Sequence, residues 1–187
     1  GTDPEFTVDT DAGQFHVEPA IAMDGSGNFV VAWSIQADKI FAQRFDAKGA
    51  RIGTSFQVNT AGNNLGSPRV AMDASGDFVI VWPEQNLFPQ QVWAQRFHAD
   101  GTRNGDQFLV FEAYQPDVAM TAGGAFMVVG VTPLEFDNTN TVLVKPYDPA
   151  TLSDLVERLL TAGTAHAPAA EVGSEVPVVP GLDFRRV

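Results

Sequence analysis

"VAMDASGDFVIVW", residues 70–82, repeats almost letter for letter the stretch "IAMDGSGNFVVAW" of residues 21–33. Self-similarity at a fixed period marks a repeat architecture, in which each unit is one piece of supersecondary structure that buries its apolar faces against its neighbours. Pro19, Pro68 and Pro116 each open a "P-x-[IV]-A-M" segment, and they lie 49 and 48 residues apart (68 − 19 and 116 − 68). After each comes a turn and an apolar run: "DGSGNFVVAW" from Asp24, "DASGDFVIVW" from Asp73 and the degraded "TAGGAFMVVG" from Thr121. A third segment reads "FAQRFDAKG" from Phe41, "WAQRFHADG" from Trp93 and, more loosely, "VKPYDPA" from Val144. A fourth reads "FQVNT" from Phe56 and "FLVFE" from Phe108, and "FTVDT" from Phe6 stands ahead of the first unit.

Each unit thus holds four short segments rich in Val, Ile, Phe and Trp, bounded by Gly, Asp, Asn or Pro, which is the composition of strands and tight turns. Phe29, Val31 and Trp33 alternate with Val30 and Ala32, so this strand is apolar on both faces and has to be covered twice, as in stacked sheets. Phe41, Gln43 and Phe45 alternate with Ala42 and Arg44, a pattern for one dry face and one wetter face. The "D-x-S-G" turns supply an Asp that bonds its own backbone and a Gly for positive φ, so the repeated phrase reads mainly as a hairpin. The fold class expected is all-β, with three four-stranded units.

The segments "FQVNT", "VAMDASGDFVIVW" and "WAQRF" resemble the tandem repeats, roughly 50 residues long, of large exported bacterial proteins, which are similar to β-propeller blades. The resemblance covers about residues 6–148 and is weaker in the third unit, where Thr121, Gly130 and "VKPY" replace Asp, Trp and "AQRF". It implies a secreted or cell-surface bacterial location and a non-enzymatic scaffold, adhesion or carbohydrate- or protein-binding role, and it brings no catalytic residues. The alternative function is a glycan-active hydrolase or lyase on a propeller frame, and the alternative fold is a β-trefoil, which also has three units of four strands.

Three units fall short of the four to eight blades of a propeller ring. Two end-to-end copies would complete one, so a homodimer is expected, with "FTVDT" pairing with the "VLVKPY" strand, within the chain or across to the partner, and Val8 buried. Residues 1–5 read as a cloning remnant and 6–150 as the repeat domain. Leu152, Leu155, Val156, Leu159 and Leu160 have helical spacing, predicting a short helix over 151–163, and the Pro-containing remainder, 164–187, reads as a tail or linker.

The chemistry-bearing residues are few. Net charge is −12, which disfavours a phosphate backbone as partner, so no nucleic acid is expected. No apolar run is long enough to span a bilayer as a helix, and no membrane insertion is expected. There is no Cys, and His16, His98 and His166 have no metal-ligand spacing. The Asp24–Asn28 and Asp73–Asp77 turns offer alternating oxygens of the kind Ca²⁺ takes, but Asp24, Asn28, Asp73 and Asp77 are accounted for as turn formers, so no cofactor is expected. Arg44 and Arg96 recur at one position and read as stems over apolar surface; Trp33 and Trp82 read as core, with sugar stacking as the alternative. Nothing in the spacing sets two of Glu84, Glu112 and Glu135 opposite each other as hydrolytic acid and base.

The connection between the second and third strands varies in length while the frame stays constant: "SIQADK", "PEQNLFPQQ" and "TPLEFDNTN". Variable loops on a constant frame are where binding concentrates. In a blade these loops emerge on the same face as the connection to the next blade, which groups Leu87, Phe88, Glu135, Phe136 and Asp137 with Asn63, Asn64 and Tyr114 as the candidate ligand surface.

Overall fold

A computed structural model describes residues 5–9, 16–35, 38–62, 65–133 and 140–147. All of them fall in the first of two compact units, Gly1–Leu152. The helix expected over 151–163 and the tail over 164–187 lie outside the described residues.

Every regular element among the described residues is a strand. β1 (His16–Met23), β2 (Phe29–Ile35), β3 (Lys39–Phe45) and β4 (Arg51–Gln57) form one antiparallel meander sheet. β5 (Arg69–Met72), β6 (Phe78–Glu84), β7 (Gln91–Phe97) and β8 (Phe108–Glu112) form the second. β9 (Tyr114–Met120), β10 (Phe126–Pro133) and β11 (Asn140–Tyr147) form a third, three-stranded sheet. A trefoil pairs strands of different units in a common barrel, whereas here each sheet is made within one unit. β1 packs beside β5 and β5 beside β9, and the three sheets do not close on one another.

The first hairpin of each unit is set by its turn. The Asp24, Asp73 and Thr121 amides donate to the carbonyls of Asn28, Asp77 and Ala125 at 2.8, 2.9 and 2.7 Å. Gly27, Gly76 and Gly124 hold φ of 88°, 93° and 87°, a region open to Gly without the Cβ clash of other residues. Gly76 is needed twice over, because a Cβ there would also press on Ala99 at 3.2 Å.

Alternation in β2 and β6 then builds the core. Val30, Ala32, Ile40, Ala42 and Val58 of the first unit face Phe78, Ile80, Trp82 and Phe97 of the second. Val79, Val81, Val92 and Ala94, on the other side of the second sheet, face Phe126 and Val128 of the third. Trp33 and Trp82 are buried, as the core reading requires. Gly130 stands where Trp33 and Trp82 stand in the other units, and a Cβ there would meet Phe111 at 2.7 Å and Ala113 at 2.8 Å, so the Phe111 ring has taken the space.

One aromatic triad recurs. Phe29 stacks on Phe45, Phe78 on Phe97 and Phe126 on Tyr147, with centroids 4.9, 4.9 and 4.8 Å apart. Onto each pair a third ring tilts from the segment preceding that unit: Phe6 on Phe45, Phe56 on Phe97 and Phe108 on Tyr147, at 5.4, 5.3 and 5.4 Å. The "FTVDT" segment therefore holds on the first sheet the place that "FQVNT" holds on the second. Within one chain the expected pairing with β11 is not made: the described residues 5–9 form no ladder, the Thr7 carbonyl accepts from Arg51 Nη2 at 3.0 Å, and Val8 is half-buried against Val31, Trp33 and Phe45 rather than enclosed. "FQVNT" is likewise only part strand, since β4 ends at Gln57 and Val58 passes fully buried between sheets, its amide donating to the Ile40 carbonyl.

Buried amides tie the third strand of each unit to the fourth. Gln43 Nε2 donates to the carbonyls of Arg44, Ile52 and Gly53, and Gln95 Nε2 to those of Arg96 and Gly105, while Gln95 Oε1 accepts from Arg103 Nη1 at 2.8 Å. Gln95→Ala strands those carbonyls and one guanidinium, and is expected to cost about 1–3 kcal/mol in urea-induced unfolding.

Candidate functional site

A groove of about 990 Å³ opens between the second and third sheets, at the end of the strands away from the "D-x-S-G" turns. One wall comes from the start of β5 and the end of β6, through Arg69 and Pro83; the 85–90 connection adds Gln85, Phe88 and Gln90. The other wall is the start of β9, Tyr114 to Asp117, with Val131 of β10 behind it. Phe88 is 89% exposed, and its ring lies 6.3 Å from that of Tyr114 at 57°. An apolar ring standing in water beside amide side chains is an adhesive surface for a ligand with alternating apolar and hydroxyl faces.

Local backbone explains why these side chains reach the rim. Gln115 precedes Pro116 and has φ of 51°, and Glu18, before Pro19 in β1, has φ of 58°. The left-handed region costs an L-residue about 1–2 kcal/mol, and strain of this kind collects where a side chain has to be aimed. Each is accompanied by a register shift, between Val17 and Ala20 in β1 and between Val129 and Val131 opposite β9. Gly66 lets the chain pass against Gln85, since a Cβ there would collide with the Gln85 amide and, at 2.8 Å, with Pro83. Arg69 donates to the Pro68 carbonyl at 3.0 Å, which holds its guanidinium at the groove.

Of the sequence-derived ligand residues, the structure brings Phe88 and Tyr114 together in this groove. Leu87 is exposed in the same connection, outside the groove lining. Asn63, Asn64, Glu135, Phe136 and Asp137 lie outside the described residues. Arg69 and Gln115 sit at strand starts, where periodicity carries no information about a bulge, and Gln85 and Gln90 flank the apolar residues of their connection without a pattern of their own. The pre-proline "E-P" and "Q-P" pairs were the available signal.

The turn carboxylates are engaged in their own hairpins. Asp24 Oδ1 accepts from the Ser26 and Asn28 amides at 2.8 and 2.9 Å, and Oδ2 from Asn28 Nδ2 at 2.7 Å. Asp73 Oδ1 accepts from the Ser75 amide and hydroxyl and from the Asp77 amide, while Asp77 Oδ1 accepts from the Ala99 amide. Among the described residues no group of three or more His, Cys, Asp or Glu is placed to hold a metal ion. Arg44 reaches the next unit, donating to the Asp100 carbonyl at 2.6 Å.

No protein-family profile matches the chain, and no curated protein matches it. Twelve chains of solved structures do. They include a GH43 endo-arabinanase from Bacillus licheniformis, 12% identical, with a TM-score of 0.45 over 75% of this chain and 57% of that one. The chain spans 57% of the length of that structure.

Titration follows from the turns. Burial is the largest single influence on Asp24 and raises its pKa, but the bonds from Asn28, Ser26 and Gly27 together outweigh it and hold the carboxyl below its ordinary value of 3.8. A depressed folded pKa means stability that is present above 3.8 and lost as pH falls through the lower, folded value. Asp24→Ala is therefore expected to lower stability by about 1 kcal/mol or less at neutral pH. In thermal scans the gap to the unsubstituted chain should close below pH 3.8.

Proposed function

We propose that the chain is an arc of three propeller-type blades serving as a non-enzymatic binding module, and that the groove between the second and third sheets takes a neutral oligosaccharide. The exposed Phe88 ring beside Tyr114 carries the reading. Sugars present C–H faces that stack on aromatic rings and hydroxyls that bond to amides, and Gln85, Gln90 and Gln115 supply those amides around the rings. Arg69 and Asp117 balance one another in charge, which favours an uncharged ligand over an anionic one. Propeller blades are four-stranded meanders ranked around an axis, and the order β1 to β4 and β5 to β8, with β1, β5 and β9 adjacent, supports that architecture. Residence outside a bacterial cell rests on the resemblance of the repeats.

Glycoside hydrolysis generally uses two carboxyl groups, and Asp117 is the one carboxylate among the described lining residues. Our proposal is binding without turnover; Glu135 and Asp137 of the adjoining connection lie outside the described residues. Titration calorimetry against a panel of soluble neutral oligosaccharides tests it. A binder should lose about tenfold in affinity with Phe88→Ala, the equivalent of roughly 1.4 kcal/mol, at unchanged thermal stability. Failure of every oligosaccharide, or binding indifferent to Phe88→Ala, would overturn the site, and release of reducing sugar would favour the hydrolase.

A further inference from the structure

The repeat supplies its own test of which surfaces are complete. In the "P-x-[IV]-A-M" segments, Val70 and Met72 pack against the core shared with the first sheet, and Val118 and Met120 against the core shared with the second. Ile21 and Met23 occupy the same positions in the first unit and are 61% and 57% exposed. They stand opposite Val31 and Phe29 in the β1–β2 ladder, so they extend the apolar face that holds Val31 and Trp33. At the other end, Val30, Ile40 and Ala42 of the first unit and Val79, Val92 and Ala94 of the second are at 0% exposure. Their counterparts in the third unit, Met127, Val142 and Val144, are 50%, 66% and 56% exposed.

We infer that these two faces are the halves of one interface, and that a second copy of this chain occupies them, the Met127, Val142 and Val144 face of each copy seating on the Ile21 and Met23 face of the other. The occupant follows from continuity with the interfaces already inside the chain. The two faces match, position by position, surfaces that the described sheets press together twice, at the first-to-second and second-to-third junctions. Segment 6–9 fits the same arrangement. Phe6 already tilts onto Phe45 as Phe56 does onto Phe97, where Phe56 belongs to the last strand of the preceding sheet. Among the described residues the third sheet ends at β11, and in the paired arrangement β11 of one copy would flank the 6–9 segment of the other. A two-fold axis makes both contacts at once, and the pair is closed rather than a growing filament. Taken with the blade reading above, two copies of three sheets give a six-membered ring, within the usual four to eight.

Sedimentation equilibrium at micromolar concentration reads the result, and sugar binding is scored separately so that failure of one leaves the other standing. The unsubstituted chain should have twice the chain mass. Ile21→Asp and Val144→Asp should each halve it, with circular dichroism unchanged because both side chains are exposed within one chain. A single-chain mass for the unsubstituted protein, a mass that keeps rising with concentration, or a dimer that survives both substitutions would each overturn the inference.

Discussion

The whole arrangement depends on a central strand that is apolar on both sides. In β2 and β6 the run Val30 to Trp33 and the run Val79 to Trp82 are buried from end to end. Enclosing such a side chain is worth about 1.5–3 kcal/mol relative to leaving it in water, far more than a surface ion pair. On the outer face of the first sheet, Val31 and Trp33 are covered by Val8, Phe41 and Phe45 while Ile21 and Met23 stay exposed. The second sheet obtains both of its covers from the first and third, and the stack follows from that requirement.

Close stacking forces the polar groups between the sheets to be handled individually. Gln43 and Gln95 are fully buried, and each spends its amide on carbonyls where the ladder to the fourth strand is interrupted. Asn59 does the same for the passage between sheets, accepting from the Ile40 amide at 2.8 Å and donating to the Asp38 carbonyl at 3.2 Å. In the third unit the equivalent of the Gln is Lys145, whose Nζ donates to the Val110 carbonyl at 2.7 Å, back toward the second sheet. In the third unit the cation at this position thus ties β11 to the neighbouring sheet instead.

The two ends of the strands divide the labour. At one end, turns with fixed Gly and Asp hold the hairpins, and neighbouring turns touch: Gly76 lies under the Asp24 carboxylate and Gly124 under that of Asp73. At the other end the connections differ in length, two pre-proline residues take left-handed backbone, and the groove opens. A frame stiffened at one end tolerates variation at the other, because the cost of a longer surface loop grows only slowly with its length.

The all-β class, the three-unit period, the hairpin turns and the buried Trp33 and Trp82 are legible along the chain, since each depends on local periodicity or on the backbone freedom of Gly. The sequence also pointed to Phe88, through the length of its connection, and to Tyr114, through the connection between units that emerges on the same face. Three-dimensional packing alone shows that Phe6 tilts onto Phe45, that Phe111 takes the space left at Gly130, and that Arg69 and Gln115 reach the groove. Those outcomes turn on which residues from distant parts of the chain compete for one space and on a bulge that re-aims a strand end, and neither quantity is written in the spacing of residues along the chain.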